Sequence, residues 1–565
     1  MKVIIVGGVA GGATAAARIR RLNEHTEITV FERSGYISYA NCGLPYYIGD
    51  VITDPEELTL QTPESFFKRF RINMKIHHEV ISIHPERKTV SVKNLENGEI
   101  FEEKYDKLIL SPGAKPTQPR LSGVGIDKLF TLRTVEDTFQ IKEYINKNHP
   151  KSAVLAGGGF IGLELAENLR ELGMDVTIVQ RPKQLMNPFD PDMASMIHNE
   201  MRKHGIKLVL GYTVEGFKGK DNGVEILLKD NPSLQADMVV LAIGVTPDTA
   251  LAKEAGLELG IKGSIVVNDR METSVPDIYA AGDAVQVKHY VTGDDALISL
   301  AGPANKQGRI IADNICGGDS RYLGSQGSSV IKVFDMTAAT TGINETNAKK
   351  SGLEVDTVIL SPMSHAGYYP GGKVMTMKVV FEKETYRLLG AQIIGYEGVD
   401  KRIDVLATAI HAGLKATQLK DLDLAYAPPY SSAKDPVNMA GFMIDNIAKG
   451  TLKQWHLEDM DKISKDQNVV LLDVRTVDEF NRGHMDGFNN IPVDELRERI
   501  NEIEKGKPVY LICQSGLRSY IASRILEGNG YETYNFSGGF HFYDAVVNDR
   551  ALIERAYACG MDYKK

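Results

Sequence analysis

Short apolar runs of strand length recur through the first 320 residues, separated by segments whose apolar positions return with a helical period. Strands of that length alternating with amphipathic helices predict α/β domains on parallel sheets. Val3–Val6, Ile28–Phe31 and Val176–Val179 read as strands, and Ala13–Arg21 as the first helix. The pattern changes from about residue 323 to 446, where strands Ser329–Phe334 and Val374–Phe381 precede a helix around Lys401–His411. Polar Lys449–Gln454 then reads as a linker, and a separate α/β unit begins near Asp459.

Two glycine-rich turns stand at strand-to-helix junctions, Gly7–Gly12 and Gly157–Gly162, and Asp277-Ile-Tyr-Ala-Ala-Gly-Asp283 follows them. That order predicts a nucleotide-binding domain (residues 1–115 and 246–322) interrupted by a second one at 116–245. Residues 323–446 form a third domain, 447–459 a linker and 460–565 a fourth.

Glycines at such turns let the backbone approach a pyrophosphate at a helix N-terminus. Gly7, Gly8, Ala10 and Gly12 carry the first motif, with Val9 in place of its middle glycine. Glu32 closes the next strand, where a carboxylate binds a ribose hydroxyl. Gly157, Gly159 and Gly162 complete the second motif, but its next strand ends in Gln180-Arg181. A carboxylate there would repel a 2′-phosphate. Gln180 removes that repulsion and Arg181 or Lys183 can pair with the phosphate, so NADPH is expected to be accepted.

Composition narrows the setting without changing the fold. The 565 residues are 43% apolar and 25% charged, ordinary values for a globular chain. No run approaches the roughly 18 apolar residues of a membrane span, so no membrane association is expected. Met1–Val6 meets Gly7-Gly8 with no cleavage-type site, and reads as a strand rather than a signal peptide. A net charge of −9 argues against nonspecific nucleic-acid binding. The four cysteines, Cys42, Cys316, Cys513 and Cys559, form no CxxC pair and have no histidine at metal spacing. Neither a metal site nor a disulfide framework is expected, and the expected compartment is a reducing cytoplasm.

Cys42 lies just beyond the second strand, in Ser38-Tyr-Ala-Asn41-Cys42-Gly-Leu-Pro45. A helix starting there would carry it to the nucleotide site and lower its pKa. Thr14, Arg18 and Arg21 share one face of the first helix, either as a solvated basic face or as a ridge for a second anionic ligand.

Three further segments accompany these: Leu108-Ile-Leu-Ser111-Pro-Gly113-Ala114, Gly282-Asp283 and Tyr426-Ala-Pro-Pro-Tyr430-Ser-Ser-Ala-Lys434-Asp435. With them, residues 1 to about 445 resemble the single-cysteine branch of the pyridine nucleotide–disulfide oxidoreductases, most closely the coenzyme A disulfide reductases. The resemblance implies FAD and NAD(P)H, with Arg33, Asn41, Ser111, Gly113, Arg133, Gly244, Gly282 and Asp283 added to the cofactor-binding set. It places Glu164 near the nicotinamide, and Phe160 either gates the flavin or packs. Coenzyme A would lie along Thr14, Arg18, Arg21, Ser38, Asn41, Asn305 and Lys434. Tyr368 and Tyr426 would come from a neighbouring subunit to bond the leaving thiolate, which implies a homodimer through residues 323–446. The sequence departs from the family at two channel positions, offering Asn305 for a histidine and Arg69 or Arg71 for a lysine.

Glutathione-type relatives carry a second cysteine where Tyr47 stands. Cys42 must therefore cycle through a mixed disulfide, a persulfide or a sulfenic acid. A sulfenic acid would make the chain an NAD(P)H oxidase or peroxidase; the resemblance favours a disulfide or persulfide reductase.

In the last domain, Val509–Ile512 runs into Cys513-Gln-Ser-Gly-Leu-Arg518-Ser519. A Cys-x4-Arg loop entering a helix turns backbone N–H groups onto the sulfur and stabilises a thiolate and then a persulfide. Residues 460–545 resemble a single-domain rhodanese, and the loop is one residue shorter than the phosphatase loop that fits phosphate. Cys316 and Cys559 have no such surroundings and are expected bystanders. The expected architecture is α/β: two Rossmann-like FAD and NAD(P) domains, an α+β dimerisation domain and a C-terminal α/β rhodanese domain. Cys513 would charge coenzyme A with sulfur, and Cys42 would reduce the resulting persulfide, a polysulfide or coenzyme A disulfide. The alternatives are the oxidase or peroxidase, and a coenzyme A disulfide reductase whose rhodanese domain is a non-catalytic docking module.

Overall fold

Strand Lys2–Val6 runs parallel between Glu27–Phe31 and Lys107–Leu110, and Asn73–Lys75 and Ile278–Ala280 complete a five-stranded sheet. Val3, Ile4, Ile5, Val30, Leu108 and Ile109 are fully buried, as uninterrupted apolar strands covered on both faces require. Helix Ala10–Leu22 lies against helix Ala301–Ile315 so closely that a Cβ on Gly308 would stand 2.4 Å from the Gly11 carbonyl oxygen. The second parallel sheet orders Leu129–Thr131, Met238–Leu241, Ser152–Ala156, Asp175–Gln180 and Lys207–Leu210. These are the two Rossmann-like domains, the second inserted within the first. In this computed structural model residues 1–117 and 121–558 are described, the side chains as far as 555; Cys559 lies outside them.

The chain divides into two units, residues 1–182 with 206–327, and 183–205 with the described residues from 328 onward. The second unit opens on an antiparallel sheet ordered Ser329–Val333, Met336–Gly342, Leu388–Gly395, Met375–Glu382 and Val355–Leu360. Helices Val399–His411 and Pro436–Ala448 make it α+β. The last sheet is parallel, ordered Gln454–Trp455, Thr533–Phe536, Val509–Ile512, Val470–Asp473 and Asn489–Asn490. Trp455 comes from the stretch expected as a linker, yet it is buried in this sheet and donates from Nε1 to the Leu511 carbonyl at 3.3 Å. Helix Pro191–Lys203, which follows the nucleotide domain's strand Asp175–Gln180 in sequence, belongs to this unit. Its Asp192 binds buried Lys378 at 2.7 Å, with Glu345 at 2.7 Å and Asp190 at 3.2 Å. No helix among the described residues is long and apolar enough to cross a membrane.

Candidate active sites

The two nucleotide loops are built alike. Gly7 has φ +96° and a Cβ on it would lie 2.1 Å from the Ser111 carbonyl oxygen; Gly157 has φ +122° and the same clash at 2.2 Å with Ala242. No other residue closes those turns. Val9 sits at φ −103°, which any L-residue adopts, so the missing middle glycine costs the loop nothing there. Neither helix Ala10–Leu22 nor helix Phe160–Glu171 has a side-chain cap, so each begins with amides that a pyrophosphate can take.

Glu32 accepts from the Gly8 amide at 2.9 Å and from the Ser34 amide at 2.9 Å. Gln180 repeats the first of these bonds, its Oε1 accepting from Gly158 at 3.1 Å, which leaves its NH2 as a donor. Arg181 beside it is exposed. Arg133 donates to Asp283 Oδ2 at 2.6 Å and to the Ala114 carbonyl at 3.2 Å, next to Gly113. Gln307, which no sequence motif marks, accepts from the Gly282 amide at 2.7 Å. Arg33 pairs with Asp248 at 2.9 Å, and the Gly244 carbonyl accepts from Thr117 at 3.0 Å. The uncapped helix, Glu32, Ser111 and the Gly282-Asp283 turn fit a flavin dinucleotide, and the Gly157–Gly162 loop with Gln180 fits a nicotinamide nucleotide.

Cys42 occupies the turn Asn41–Gly43, ahead of a helix that starts only at Leu44. The expected lowering of its pKa is not found. Loss of solvent around the partly buried sulfur pushes the thiol up, the Glu164 carboxylate adds to this, and Arg133 opposes it. Glu164 lies on helix Phe160–Glu171 and takes a hydrogen bond from Tyr46, a partner the sequence did not reveal. Burial, then Glu167, lift Glu164 to about 7. Burial, then Glu164, lift the Tyr46 phenol to about 12. Ser38 holds φ +46°, and its amide donates to Gly8 at 2.9 Å.

Of the proposed coenzyme A ridge, Thr14 bonds Asn305 at 2.5 Å and Arg18 bonds Asp313 at 2.8 Å, while Arg21 is exposed. The ridge is thus partly neutralised by Asp313, which lies beyond the Gly282-Asp283 motif and is invisible to helical spacing on the first helix alone. In the other unit, Tyr368 and Tyr426 join hydroxyl to hydroxyl at 2.6 Å and are 75% and 45% exposed, and Lys434 is exposed. The bond from Tyr368 raises the Tyr426 pKa.

Cys513 ends strand Val509–Ile512 and is 1% exposed. Its Sγ accepts from the Gly516 amide at 3.1 Å and from Ser519 Oγ at 3.2 Å. Helix Leu517–Glu527 starts behind the loop. Arg518 grips Glu479 through two bonds of 2.7 Å, and this pairing holds Glu479 down at about 2. Ser519 and Glu479 were not expected in this site. Ser519 adjoins the Cys-x4-Arg pattern, but nothing local marks Glu479.

A pyridine nucleotide-disulphide oxidoreductase pattern matches residues 1–308, more than half the chain. The chain belongs to this family. Its dimerisation-domain pattern matches residues 328–436, and a rhodanese-like pattern matches 456–545. A coenzyme A disulfide reductase from Staphylococcus aureus is 39% identical over 443 residues, 78% of this chain and 99% of that protein. The crystal structure of a reduced CoADR-RHD from Bacillus anthracis superposes with a TM-score of 0.95 at 48% identity, covering 97% of this chain and 98% of that one. An NAD-dependent persulfide reductase from A. fulgidus gives 0.90 at 38% identity, covering 96% and 100%. This family member is an oxidoreductase whose family uses flavin and NAD(P)H, carrying a rhodanese domain at its C-terminus.

Proposed function

We propose that the chain is a homodimeric, cytoplasmic, NAD(P)H-driven reductase of coenzyme A persulfide, polysulfide or coenzyme A disulfide, fed by sulfur transfer at Cys513. One observation carries this: a single chain holds two cysteines built for different tasks. Cys42 is accessible beside the nucleotide loops, and Cys513 is enclosed with two donors on its sulfur.

Cys513 Sγ attacks a sulfane sulfur and displaces the donor's leaving group, and the Gly516 amide and Ser519 hydroxyl stabilise its charged forms. The sulfane sulfur then passes to the thiolate of coenzyme A. Cys42, as thiolate, attacks that sulfur; the S–S bond breaks and coenzyme A thiolate leaves. Tyr368 of the partner subunit and Tyr426 of the partner subunit offer it a proton, since a phenol donates without carrying charge. FAD, when bound along Glu32, Ser111 and Asp283, supplies the two-electron link between NAD(P)H and the Cys42 sulfur. The sum is balanced: persulfide, NAD(P)H and one proton give thiol, hydrogen sulfide and NAD(P)+.

The test separates the two cysteines. Cys513→Ser is expected to abolish sulfur transfer from thiosulfate or polysulfide yet reduce preformed coenzyme A persulfide normally, and Cys42→Ser to abolish that reduction. An unchanged Cys513→Ser enzyme in both assays rejects the coupling. Turnover with O2 or H2O2 as sole acceptor, and a sulfenic acid on Cys42, would make the chain an oxidase or peroxidase instead.

A further inference from the structure

Strand Thr533–Phe536 runs parallel to Val509–Ile512, with Asn535 opposite Leu511. That strand and the residues after it hold carbonyls of the Cys513 loop from outside. Phe540 donates its amide to the Cys513 carbonyl at 2.8 Å, and His541 donates its own to the Gln514 carbonyl at 3.2 Å. Asn535 Nδ2 donates to the Gly516 carbonyl at 3.3 Å. With these carbonyls turned outward the loop amides face in, and that of Gly516 meets Cys513 Sγ at 3.1 Å.

Three donors stand within reach of the Gly516 oxygen: the Tyr520 amide at 3.1 Å, Asn535 Nδ2 at 3.3 Å and Ser519 Oγ at 3.2 Å. A carbonyl oxygen has two lone pairs, and a serine hydroxyl has one proton. Tyr520 and Asn535 fill both lone pairs. The Ser519 proton is left for Cys513 Sγ, which lies 3.2 Å from the same hydroxyl oxygen. Ser519 is fully buried, so its proton is shared between these two acceptors. Taking Asn535 away opens one lone pair on Gly516 and draws the proton off the sulfur.

Asn535 is 2% exposed, and its Oδ1 has no hydrogen-bond partner among the described residues. Turning the amide over would set Oδ1 against the Gly516 oxygen, acceptor against acceptor. The site therefore keeps a buried oxygen unpaired while it presents the NH2 to Gly516. Leucine has the same branched outline without that oxygen, so stability alone does not call for asparagine here.

We propose that Asn535 is a positioning residue for sulfur transfer: by filling the Gly516 carbonyl it commits the Ser519 hydroxyl proton to the Cys513 sulfur. The inference rests on the reading of Cys513 as the sulfur-transfer site.

Thiosulfate sulfurtransferase turnover of the FAD-loaded full-length enzyme, with cyanide as acceptor, tests it through a double-mutant cycle. Asn535→Leu is expected to lower turnover by about threefold or more. Added to Ser519→Ala, the same substitution should change turnover by less than about twofold, because no hydroxyl proton is left to direct. The unfolding midpoint of Asn535→Leu should not fall below the parent's. A residue that only shaped the loop would lower turnover equally in both backgrounds, since the Gly516 amide still serves the sulfur in Ser519→Ala. Equal losses, or no loss in either background, overturn the proposal. Asn535→Val, a good strand former that also lacks the donor, is the second variant and should reproduce the pattern. If neither variant folds, Asn535 belongs to the fold and the routing role is rejected. Ser519→Ala and Cys513→Ser separate the premises. Thiosulfate turnover that is absent in the parent, or unchanged by Cys513→Ser, defeats the sulfur-transfer reading and the proposal with it. Turnover lowered by Cys513→Ser and Ser519→Ala but not by the Asn535 variants defeats the routing role alone.

Discussion

Gln180 accepts from the Gly158 amide at 3.1 Å, repeating in the second nucleotide domain the 2.9 Å bond that Glu32 makes to Gly8 in the first. One oxygen in each case closes the glycine loop, so the loop geometry does not require a charge. The charge matters for the ligand. Under the proposed reading, Gln180→Glu keeps the bond and places a carboxylate where a 2′-phosphate would lie. The expected outcome is a fall of about tenfold or more in kcat/KM for NADPH, with NADH little changed, read from steady-state kinetics with each nucleotide. An unaltered NADPH:NADH ratio rejects Gln180 as the selectivity residue.

Glu164 near 7 is a titrating neighbour of Cys42. Above that pH its negative charge opposes the Cys42 thiolate; below it the opposition fades. Glu164→Gln removes the charge at every pH, so the alkylation rate of Cys42 should begin to rise at lower pH than in the parent enzyme. The stability sign is also set. The folded carboxyl keeps a proton between 4.5 and about 7 that the unfolded chain has lost. Its contribution therefore falls as pH rises through that window. Glu164→Gln should flatten this part of a Tm-versus-pH curve.

Ser519→Ala leaves Cys513 Sγ with the Gly516 amide as its remaining bond within the loop. Loss of a hydrogen bond to a charged sulfur costs about 1.5–3 kcal/mol, so thiosulfate sulfurtransferase turnover should drop by roughly tenfold or more. Turnover equal to the parent's would mean that the hydroxyl does not act on the thiolate.

Glu479 is held at about 2 by Arg518, below its ordinary 4.5. That stabilising contribution is complete above 4.5 and is lost only as pH falls toward 2. Glu479→Gln should therefore weaken the hold on Arg518 across the whole neutral range. It should raise KM for an anionic sulfur donor without adding a new pH step between 5 and 9.

Lys378 is 1% exposed and neutralises Asp190, Asp192 and Glu345 together. Lys378→Met leaves three carboxylates facing one another in a buried site. The expected cost is roughly 3–5 kcal/mol, seen as a lower midpoint of thermal unfolding. A midpoint within error of the parent's would show that the cluster relaxes by taking up protons.

The parts legible in the sequence are those whose cause is local. A positive φ at Gly7 or Gly157, a helix starting one residue after Val9, and a cysteine at the end of a strand with arginine five positions on are all set by contiguous residues. Strand and helix order followed from apolar periodicity for the same reason, which is why the four-domain architecture was readable. What depended on tertiary structure is every pairing between polar side chains distant in the chain. Arg518 meets Glu479 across 39 positions, Lys378 meets Asp192 across 186, and His198 meets Asp549 across 351. Such contacts carry no periodic signal, because they depend on which helix packs on which sheet. The same holds for Cys42. The sequence by itself determined that one cysteine stands beside a nucleotide loop without a resolving partner. Only the fold decided that desolvation and Glu164 raise its pKa, with the helix beginning two residues too late to oppose them.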